Sequence, residues 1–400
     1  MNLSLLIDLD DTLLKNDIDS FLPPYLDSFS KRVSPYIDPN KFVRTLLAGT
    51  QEMVKNRCPD RTLREVFEAT FFSLLDVDKD RFQELADSFY SEAFPTLRYL
   101  TQPIPEAAQL VEESMRRGYR MAIATNPLFP LTAVLQRLAW GNLPADRYPF
   151  EVIASYETFH FTKPDPAYFI EVLGRMGWPS GAILVIGDDI EREIICGGRL
   201  GLPAYWIPKP GVVPPDGCEA PTAIGALGNV LPWLDSNPLD NLIPKFDTPL
   251  AQLAILRATP AILDSFSRSL SPEKMTKQPE KNEWSITEVF CHLRDVDLEV
   301  NLPRLIKVLN ENNPFLPGRE TDPWAIERNY CLQDGKEALR QFISARLDIL
   351  NLLESLMQED WHLPARHAIF GPTQLGEIVN IICGHDRVHV KQVYNLMENI

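Results

Sequence analysis

The chain has 400 residues, 45% of them hydrophobic, and carries a formal charge of −16 at pH 7. This length predicts two or three domains. No apolar run reaches the ~20 residues of a membrane helix, so we expect a soluble chain without a membrane partner. The negative charge, with no Lys/Arg-rich run to reverse it locally, argues against nucleic-acid binding.

The start of the chain and its cysteines favour a cytoplasmic location. Asp8, Asp10 and Asp11 follow an apolar start, and this pattern lacks the basic beginning of a secretion signal. The six cysteines lie far apart and include no Cys-x-x-Cys pair. Neither a disulfide framework nor a cysteine zinc site is therefore indicated, and we expect reduced thiols.

Strand-like apolar runs alternate with helix-patterned segments in the first half of the chain. This alternation predicts an α/β Rossmann-like parallel sheet. Between the first two runs, residues 17–98 have helical periodicity and no clear strand signal, which predicts an inserted helical cap. The strand-like runs are residues 3–9, 119–124, 150–154, 183–186 and 204–207.

The second half of the chain has a different pattern. Proline-marked residues 236–249 predict a linker, so residues 1–235 form the first predicted domain, with its core in 1–16 and 99–235. Beyond the linker the strand signals disappear, and an all-α four-helix bundle is predicted over 250–400. Its helix patterns cover residues 260–270, 285–309, 335–357 and 373–397.

The first predicted strand ends in two carboxylates. Asp8 and Asp10 lie two residues apart at the carboxyl end of a buried strand, where open α/β sheets bind ligands. One acid at such a position can attack a substrate while the other transfers a proton. Taken alone, however, acids after a strand are better explained as turn residues or helix N-caps.

Three later segments also place polar groups at strand or helix ends. The second strand ends in Thr125 and Asn126, whose hydroxyl and amide can hydrogen-bond phosphoryl oxygens. Lys163 precedes a helix start and can neutralise phosphoryl charge. Asp188 and Asp189 end the fourth strand as a pair of acids suited to a hard cation with oxygen ligands.

In this order the four segments resemble the four motifs of the haloacid dehalogenase (HAD) superfamily, in the branch with a helical C1-type cap after the first strand. The resemblance covers about the first 235 residues. It implies that Asp8 is the nucleophile and Asp10 the general acid/base. It also implies that Thr125 binds the phosphoryl group and that Lys163 neutralises its charge.

The same resemblance implies a magnesium site. The ion would be held by the Asp8 carboxylate, the Asp10 backbone carbonyl and Asp188. The fourth motif departs slightly from the common pattern, because the second acid, five residues after Asp188, is Glu193, and an extra acid, Asp189, follows Asp188 directly. Which of these two supports the metal stays open from the sequence.

These roles imply a magnesium-dependent phosphatase that acts on a small phosphorylated metabolite through an aspartyl-phosphate. The substrate would be bound by Thr12, Thr125, Asn126 and Lys163. Asp10 argues against a dehalogenase, since carbon–halogen displacement needs no acid to protonate the leaving group, whereas a phosphate ester does. The alternative is a phosphosugar mutase or another phosphotransferase. Residues around the cap decide between hydrolysis and phosphotransfer, and the sequence of the cap does not reveal which reaction occurs.

Three histidines in the second half lie on apolar helix faces. Ser285 and Glu288 form a capping-box signature that predicts a helix start, and His292 falls on the apolar side of that helix. His385 and His389 lie on one apolar stripe of the last predicted helix. An i, i+4 histidine pair with a third histidine suits a divalent metal, although a single inward histidine is usually a hydrogen-bonded core residue.

The second half resembles the DinB/YfiT-like four-helix bundles over roughly residues 250–400. The resemblance implies that His292, His385 and His389 hold a second divalent metal, zinc or nickel, and implies no DNA binding. The residues that carry it, in order, are Trp284-Ser285, His292-Leu293, the Gly371 turn and His385-Asp386-Arg387-Val388-His389.

The role of the bundle stays open at this point. It could be a metal- and thiol-dependent transferase whose product or substrate passes to the phosphatase. Alternatively, it could be a dimerisation or sensing module without chemistry of its own, which would make the protein a homodimer through the bundle.

Overall fold

A computed structural model describes residues 2–215, 217–280 and 283–398 of the chain. The chain divides into two compact units, Met1–Val172 with Ser180–Lys245, and Leu173–Pro179 with Phe246–Ile400. Among the described residues, no helix is long and apolar enough to cross a membrane.

A parallel sheet forms the centre of the first unit. The strands of this unit are β1 (Leu3–Ile7), β2 (Leu14–Lys15), β3 (Gln102–Pro103), β4 (Arg120–Ile123), β5 (Val152–Ile153), β6 (Ala182–Gly187), β7 (Ala204–Trp206) and β8 (Ala223–Ile224). Six of them form one sheet in the order β5-β4-β1-β6-β7-β8, with parallel neighbours, while β2 and β3 form a separate antiparallel pair. The predicted α/β parallel sheet is therefore confirmed.

The strand order reverses beside β1. The chain adds β4 and β5 on one side of β1 and then β6, β7 and β8 on the other. Such a reversal opens a crevice at the carboxyl ends of the central strands, which is where ligands bind in open α/β sheets. The predicted strands agree with the observed ones to within two residues at each end, and the two-residue strands β2, β3 and β8 were missed.

Helices cover the sheet and fill the long insert. They are α1 (Ile18–Val33), α2 (Pro39–Lys55), α3 (Leu63–Leu74), α4 (Lys79–Ser88), α5 (Pro105–Arg116), α6 (Leu131–Trp140), α7 (Pro166–Arg175), α8 (Cys196–Arg199) and α9 (Val230–Ser236). The insert consists of α1–α4, a π-helical turn at Phe89–Ala93 and a 3-10 segment at Phe94–Leu100.

Local signals explain where the cap helices begin. The Asp38 and Asp78 side chains accept hydrogen bonds from backbone N–H groups in the first turns of α2 and α4, and Thr62 forms a capping box with Glu65 at the start of α3. Aromatic rings then join the helices. Phe29 stacks on Phe89 with ring centroids 4.1 Å apart, and both rings belong to the same hydrophobic core as the strands of the sheet.

The second unit contains a helical bundle. Its elements are α10 (Pro249–Arg268), α11 (Pro272–Thr276), α12 (Ile286–Val296), α13 (Leu302–Asn310), β9 (Phe315–Leu316), α14 (Trp324–Glu327), α15 (Gly335–Glu354), β10 (Pro364–His367), β11 (Gly371–Gln374) and α16 (Leu375–Glu398). The long helices α10, α12, α15 and α16 pack together. A helical second domain is therefore confirmed.

Three details of the second unit differ from the sequence prediction. Helix α10 begins at Pro249, where the Thr248 side chain caps it. The predicted start at Pro260 was wrong, because this proline lies inside the helix. The segment 285–309 is interrupted by a π-helical turn at Asp297–Asn301. The prediction that strands end with the first domain was wrong, because β9, β10 and β11 form a small sheet whose strands are too short for a clear period-2 signal.

Candidate catalytic and metal sites

Lys163 lies between two buried carboxylates in the first unit. Its Nζ is 2.8 Å from Asp8 Oδ1 and 2.6 Å from Glu193 Oε1. Asp8 directly follows β1, Lys163 lies in the loop before α7, and Glu193 lies in the π-helical turn after β6. The carboxyl ends of two adjacent strands and one loop therefore bring these three groups to a single point.

Burial and mutual charge shift the pKa values of these three groups. Burial raises the pKa of Asp8 above its ordinary value and that of Glu193 to about 8. Burial alone would lower the pKa of Lys163, but the charges of Asp8 and Glu193 raise it, so the amine stays protonated. One ammonium thus faces two buried carboxyl groups whose raised pKa values show that burial disfavours charging both of them at once.

A second cation lies on the other side of the site. The Nζ of Lys209, in the segment after β7, is 3.0 Å from Asp188 Oδ2 and 2.7 Å from Asp11 Oδ2. Burial and the charge of Asp8 raise the pKa of Asp188 to about 6. Asp188 is held in place at its backbone, where its carbonyl accepts a hydrogen bond from Trp206 Nε1 at 2.8 Å.

The Asp10 carboxylate is held from both sides. Asn16 Nδ2 donates to Asp10 Oδ1 at 2.7 Å, and Arg137 Nη1 on α6 donates to Asp10 Oδ2. The Arg137 side chain is 1% exposed, and its guanidinium lies over the Phe129 ring. The orientation of Asp10 therefore depends on a buried cation from another element.

The loop after β4 contributes the remaining predicted phosphate-binding groups. Thr125 is buried, and its carbonyl accepts a hydrogen bond from Tyr168 OH at 2.7 Å. Asn126 Oδ1 accepts a hydrogen bond from the backbone N–H of Lys163 at 3.2 Å. The Oγ1 of buried Thr12 has no hydrogen-bond partner among the described residues.

Asp189 and Glu193 have different environments. Asp189 Oδ1 accepts backbone hydrogen bonds from Glu191 and Arg192, so it caps the turn after β6. Glu193 is 3% exposed, and its Oε2 accepts a hydrogen bond from the Asp189 N–H at 2.7 Å.

These side chains surround one cavity of about 240 Å³. Most residues predicted to be catalytic, substrate-binding or magnesium-binding line it. The predicted residues that line it are Asp8, Asp10, Thr125, Asn126, Lys163, Asp188, Asp189 and Glu193, while Thr12 does not.

In the second unit, three histidines converge. His292 Nε2 is 3.0 Å from His385 Nε2, and His389 Nε2 is 3.1 Å from His385 Nε2. Four nitrogens around a tetrahedral zinc, at Zn–N distances of about 2.0–2.1 Å, lie roughly 3.3 Å from one another. The spacing of the three nitrogens therefore fits ligands of one metal ion.

Burial keeps these imidazoles uncharged. It lowers the pKa of His292 to about 3 and those of His385 and His389 to about 4. A neutral ring nitrogen is the form that binds a metal. The Nδ1 of His389 lies 2.8 Å from Gln392 Oε1, so Nδ1 carries the proton and Nε2 keeps its lone pair.

Aromatic and ionic groups support the triad. The Trp284 ring stacks on His389 at 6.1 Å and lies 4.7 Å from the His292 ring. Beside it, Arg346 is fully buried between Asp297 and Asp386, and it donates hydrogen bonds to both carboxylates. This ion network joins α15 to the turn after α12 and to α16, the elements around the histidines.

Family models match both parts of the chain. Residues 4–201 match the haloacid dehalogenase-like hydrolase model, and residues 255–393 match the DinB superfamily model. Residues 4–201 therefore form a haloacid dehalogenase-like hydrolase domain, and residues 255–393 form a DinB superfamily domain. The first match covers the carboxylate and lysine site of the HAD-like domain, and the second covers all three histidines of the DinB domain.

Known proteins resemble parts of the chain. Phosphoglycolate phosphatase of Aquifex aeolicus is 26% identical over 36% of this chain, and phosphoserine phosphatase of Thermus thermophilus is 26% identical over 34%. The matches span 65% and 51% of those two proteins, so the chain covers less than two thirds of their length. The uncharacterized protein YuaE of Bacillus subtilis is 24% identical over 33% of this chain and 89% of its own length.

Sequence reasoning missed three residues of the HAD-like site. Arg137 and Asn16 hold Asp10, and Lys209 pairs with Asp188. Arg137 lies in a helix whose other inward residues are apolar, which is an informative position for an arginine. Asn16 and Lys209 lie in polar or proline-rich loops, where nothing in the sequence distinguishes them from solvated residues.

Proposed function

We propose that the HAD-like domain is a magnesium-dependent phosphatase that hydrolyses a small phosphorylated metabolite through an aspartyl-phosphate on Asp8. The observation that carries the proposal is the position of Lys163 Nζ, 2.8 Å from Asp8 in a buried pocket. A positive charge fixed beside a buried carboxylate allows that carboxylate to approach an anionic phosphoryl group. The phosphatase relatives are consistent with this chemistry.

The residues present fit a magnesium ion. Asp8 and Asp188 supply carboxylate oxygens and Asp10 a backbone carbonyl, which are the hard ligands that Mg²⁺ prefers. Burial raises the pKa values of both Asp8 and Asp188, and a further carboxylate adds to each shift, Asp10 for Asp8 and Asp8 for Asp188, which a divalent cation would offset. When bound, the ion would neutralise the charge that develops on the phosphoryl oxygens.

The proposed reaction has two steps. In the first, an Asp8 oxygen attacks phosphorus, the bond from phosphorus to the ester oxygen breaks, and Asp10 gives a proton to the departing alcohol. In the second, Asp10 takes a proton from water, which attacks phosphorus and releases inorganic phosphate from Asp8. Lys163 holds its charge at the phosphoryl group in both steps, and Thr125 and Asn126 bind its oxygens.

The different environments of Asp189 and Glu193 favour Glu193 as the supporting acid. Glu193 fixes Lys163 through an ion pair, whereas Asp189 is engaged in capping the following turn. We therefore assign Glu193 to positioning Lys163 and assign Asp189 a role in the local backbone.

The test is the Asp8→Asn variant, assayed with p-nitrophenyl phosphate and Mg²⁺. We expect a folded protein with no turnover, because an amide cannot form the aspartyl-phosphate. The exposed Asp27→Asn variant is the matched control and should keep full activity. Turnover by Asp8→Asn would overturn the assignment. Transfer of phosphate to an alcohol acceptor in place of its release would instead favour the phosphotransferase alternative.

For the DinB domain we propose a divalent metal site at His292, His385 and His389. The convergence of three histidine ring nitrogens, one from each residue and all within 4.8 Å of one another, supports it. The buried Cys291 and Cys383 have pKa values raised by burial, so neither is a ready nucleophile for a thiol-dependent transfer. A cytoplasmic location and a homodimer through the bundle remain predictions.

A further inference from the structure

A second pocket lies next to the catalytic cavity, and we call it the cap pocket. It has a volume of about 50 Å³ and lies between cap helices α1–α4 and the loops after β4 and β5. Most of its wall is aromatic or aliphatic. Its main wall residues are Phe29, Met53, Phe67, Phe82, Leu128 and Tyr156.

The loop after β4 connects the two pockets. Asn126 and Leu128 line the catalytic cavity, and Leu128 also lines the cap pocket. Two residues of chain span at most about 7 Å, so the step from the phosphate-binding end to the cap pocket is a few carbon–carbon bonds long. The two pockets therefore adjoin at Leu128, and the alcohol part of a substrate with its phosphoryl group at Asp8 would enter the cap pocket past this side chain.

The polar groups of the cap pocket are uncharged. The Tyr25 and Tyr90 hydroxyls lie 2.9 Å apart and hydrogen-bond each other, and burial raises the pKa of Tyr25 to about 12. Among the described residues, no charged side chain lines the cap pocket. Thr50 and Tyr156 add two more hydroxyls to the wall. A carboxylate placed there would lose its water without gaining a counter-charge, which is unfavourable.

We propose that the substrates are phosphate monoesters of alcohols that carry a short apolar group, and that this group binds in the cap pocket. The inference rests on the proposed phosphatase function and adds a substrate class to it. A cavity of about 150 Å³ takes up benzene, so the cap pocket takes a group of about two to three carbons. With the carbons needed to span the step from the catalytic cavity, the substrate would be an alkyl phosphate of four or five carbons.

The experiment measures kcat/KM of the full chain with Mg²⁺ for methyl, n-propyl, n-pentyl and n-heptyl phosphate. Each methylene that enters the cap pocket should raise kcat/KM about fourfold, so n-pentyl phosphate should exceed n-propyl phosphate by roughly tenfold or more. Glycerol 3-phosphate matches n-propyl phosphate in carbon number and adds two hydroxyls, and it should be the poorer substrate. A preference for glycerol 3-phosphate or 2-phosphoglycolate overturns the inference.

Two wall variants test whether the cap pocket itself sets the chain length. Ala86→Leu fills the cap pocket and should remove the advantage of n-pentyl over n-propyl phosphate, with methyl phosphate unchanged. Met53→Ala enlarges it and should shift the preferred chain toward n-heptyl phosphate. The two variants change the volume of the cap pocket in opposite directions, and neither residue lines the catalytic cavity. If one variant does not fold, the other still tests the inference.

The outcomes separate this inference from the proposed function. If p-nitrophenyl phosphate is hydrolysed but the chain-length profile is flat, or is unmoved by both variants, the cap-pocket inference fails and the phosphatase stands. If no phosphate ester is hydrolysed at all, the proposed function fails and the inference falls with it.

Discussion

Gly187, the last residue of β6, leaves the space that the Glu193 side chain occupies. A Cβ atom at Gly187 would lie 2.9 Å from the Glu193 carboxyl carbon, closer than real Cβ atoms approach other atoms. Glu193 is in turn one of the two carboxylates that hold Lys163. The missing side chain at Gly187 is therefore linked through Glu193 to the position of Lys163.

We predict that Gly187→Ala lowers kcat by about tenfold or more and costs about 1–3 kcal/mol of stability, because the added methyl group displaces the Glu193 carboxylate. Steady-state kinetics with p-nitrophenyl phosphate and thermal unfolding measure the two effects.

Gly197 provides the matched control. It is also buried, but a Cβ there would lie 3.7 Å from its nearest neighbour, an ordinary van der Waals distance. Gly197→Ala should therefore keep full activity and be neutral or slightly stabilising in its helix. Equal activity of both alanine variants would contradict the proposed link between Gly187 and Lys163.

The central strands of the sheet and the positions of most carboxylates in the site could be predicted from the sequence, and the reason is physical. Buried parallel strands are continuous apolar runs, and their carboxyl ends meet at one edge, so Asp8 and Asp188 could be placed together from local patterns. Arg137 could not, because its contact with Asp10 spans 127 residues of chain and depends on how α6 packs. The start of α10 was missed because Pro260 imitates a helix start.

The ion pair between the buried Arg137 and the partly exposed Asp10 should be coupled energetically. Asp10→Ala leaves a guanidinium that is 1% exposed without its counter-charge, and breaking a fully buried pair costs about 3–5 kcal/mol, so we expect a cost near or below the lower end of that range. In the double variant Asp10→Ala/Arg137→Met the unpaired charge is also gone, so it should be more stable than Asp10→Ala alone.

Thermal unfolding of the wild type, the two single variants and the double variant measures this coupling as a double-mutant cycle. The exposed pair Lys31–Asp27 is the control, and its cycle should show little coupling. If the effects of Asp10→Ala and Arg137→Met simply add, the pair does not hold Asp10 in the way the geometry indicates.

The end of the HAD-like domain can be tested by truncation. Leu242 lies in a 3-10 turn after α9, is 1% exposed, and belongs to the hydrophobic core of the first unit. A chain of residues 1–237 lacks this side chain, whereas a chain of residues 1–245 keeps it. We predict that the shorter chain is less stable by about 2 kcal/mol, the value of one buried leucine.

Thermal unfolding and phosphatase assays of the two truncated chains decide this prediction. The 1–245 chain with Leu242→Ala separates loss of the leucine from loss of chain length and should resemble the 1–237 chain. Indistinguishable unfolding temperatures for the two truncated chains would mean that Leu242 adds nothing to the core. Full activity of the 1–245 chain would show that catalysis does not need the DinB domain.

The histidine site makes a prediction about metal content that is independent of phosphatase activity. The full chain should bind one zinc or nickel ion at the three histidines after dialysis against the metal. The variant His385→Ala/His389→Ala should lose that ion, because it removes two of the three converging Nε2 atoms. His362→Ala is the control, since His362 is exposed and hydrogen-bonds Gln374 away from the triad. Equal zinc content in the wild type and the double variant, measured by elemental analysis, would remove the case for a metal site in the bundle.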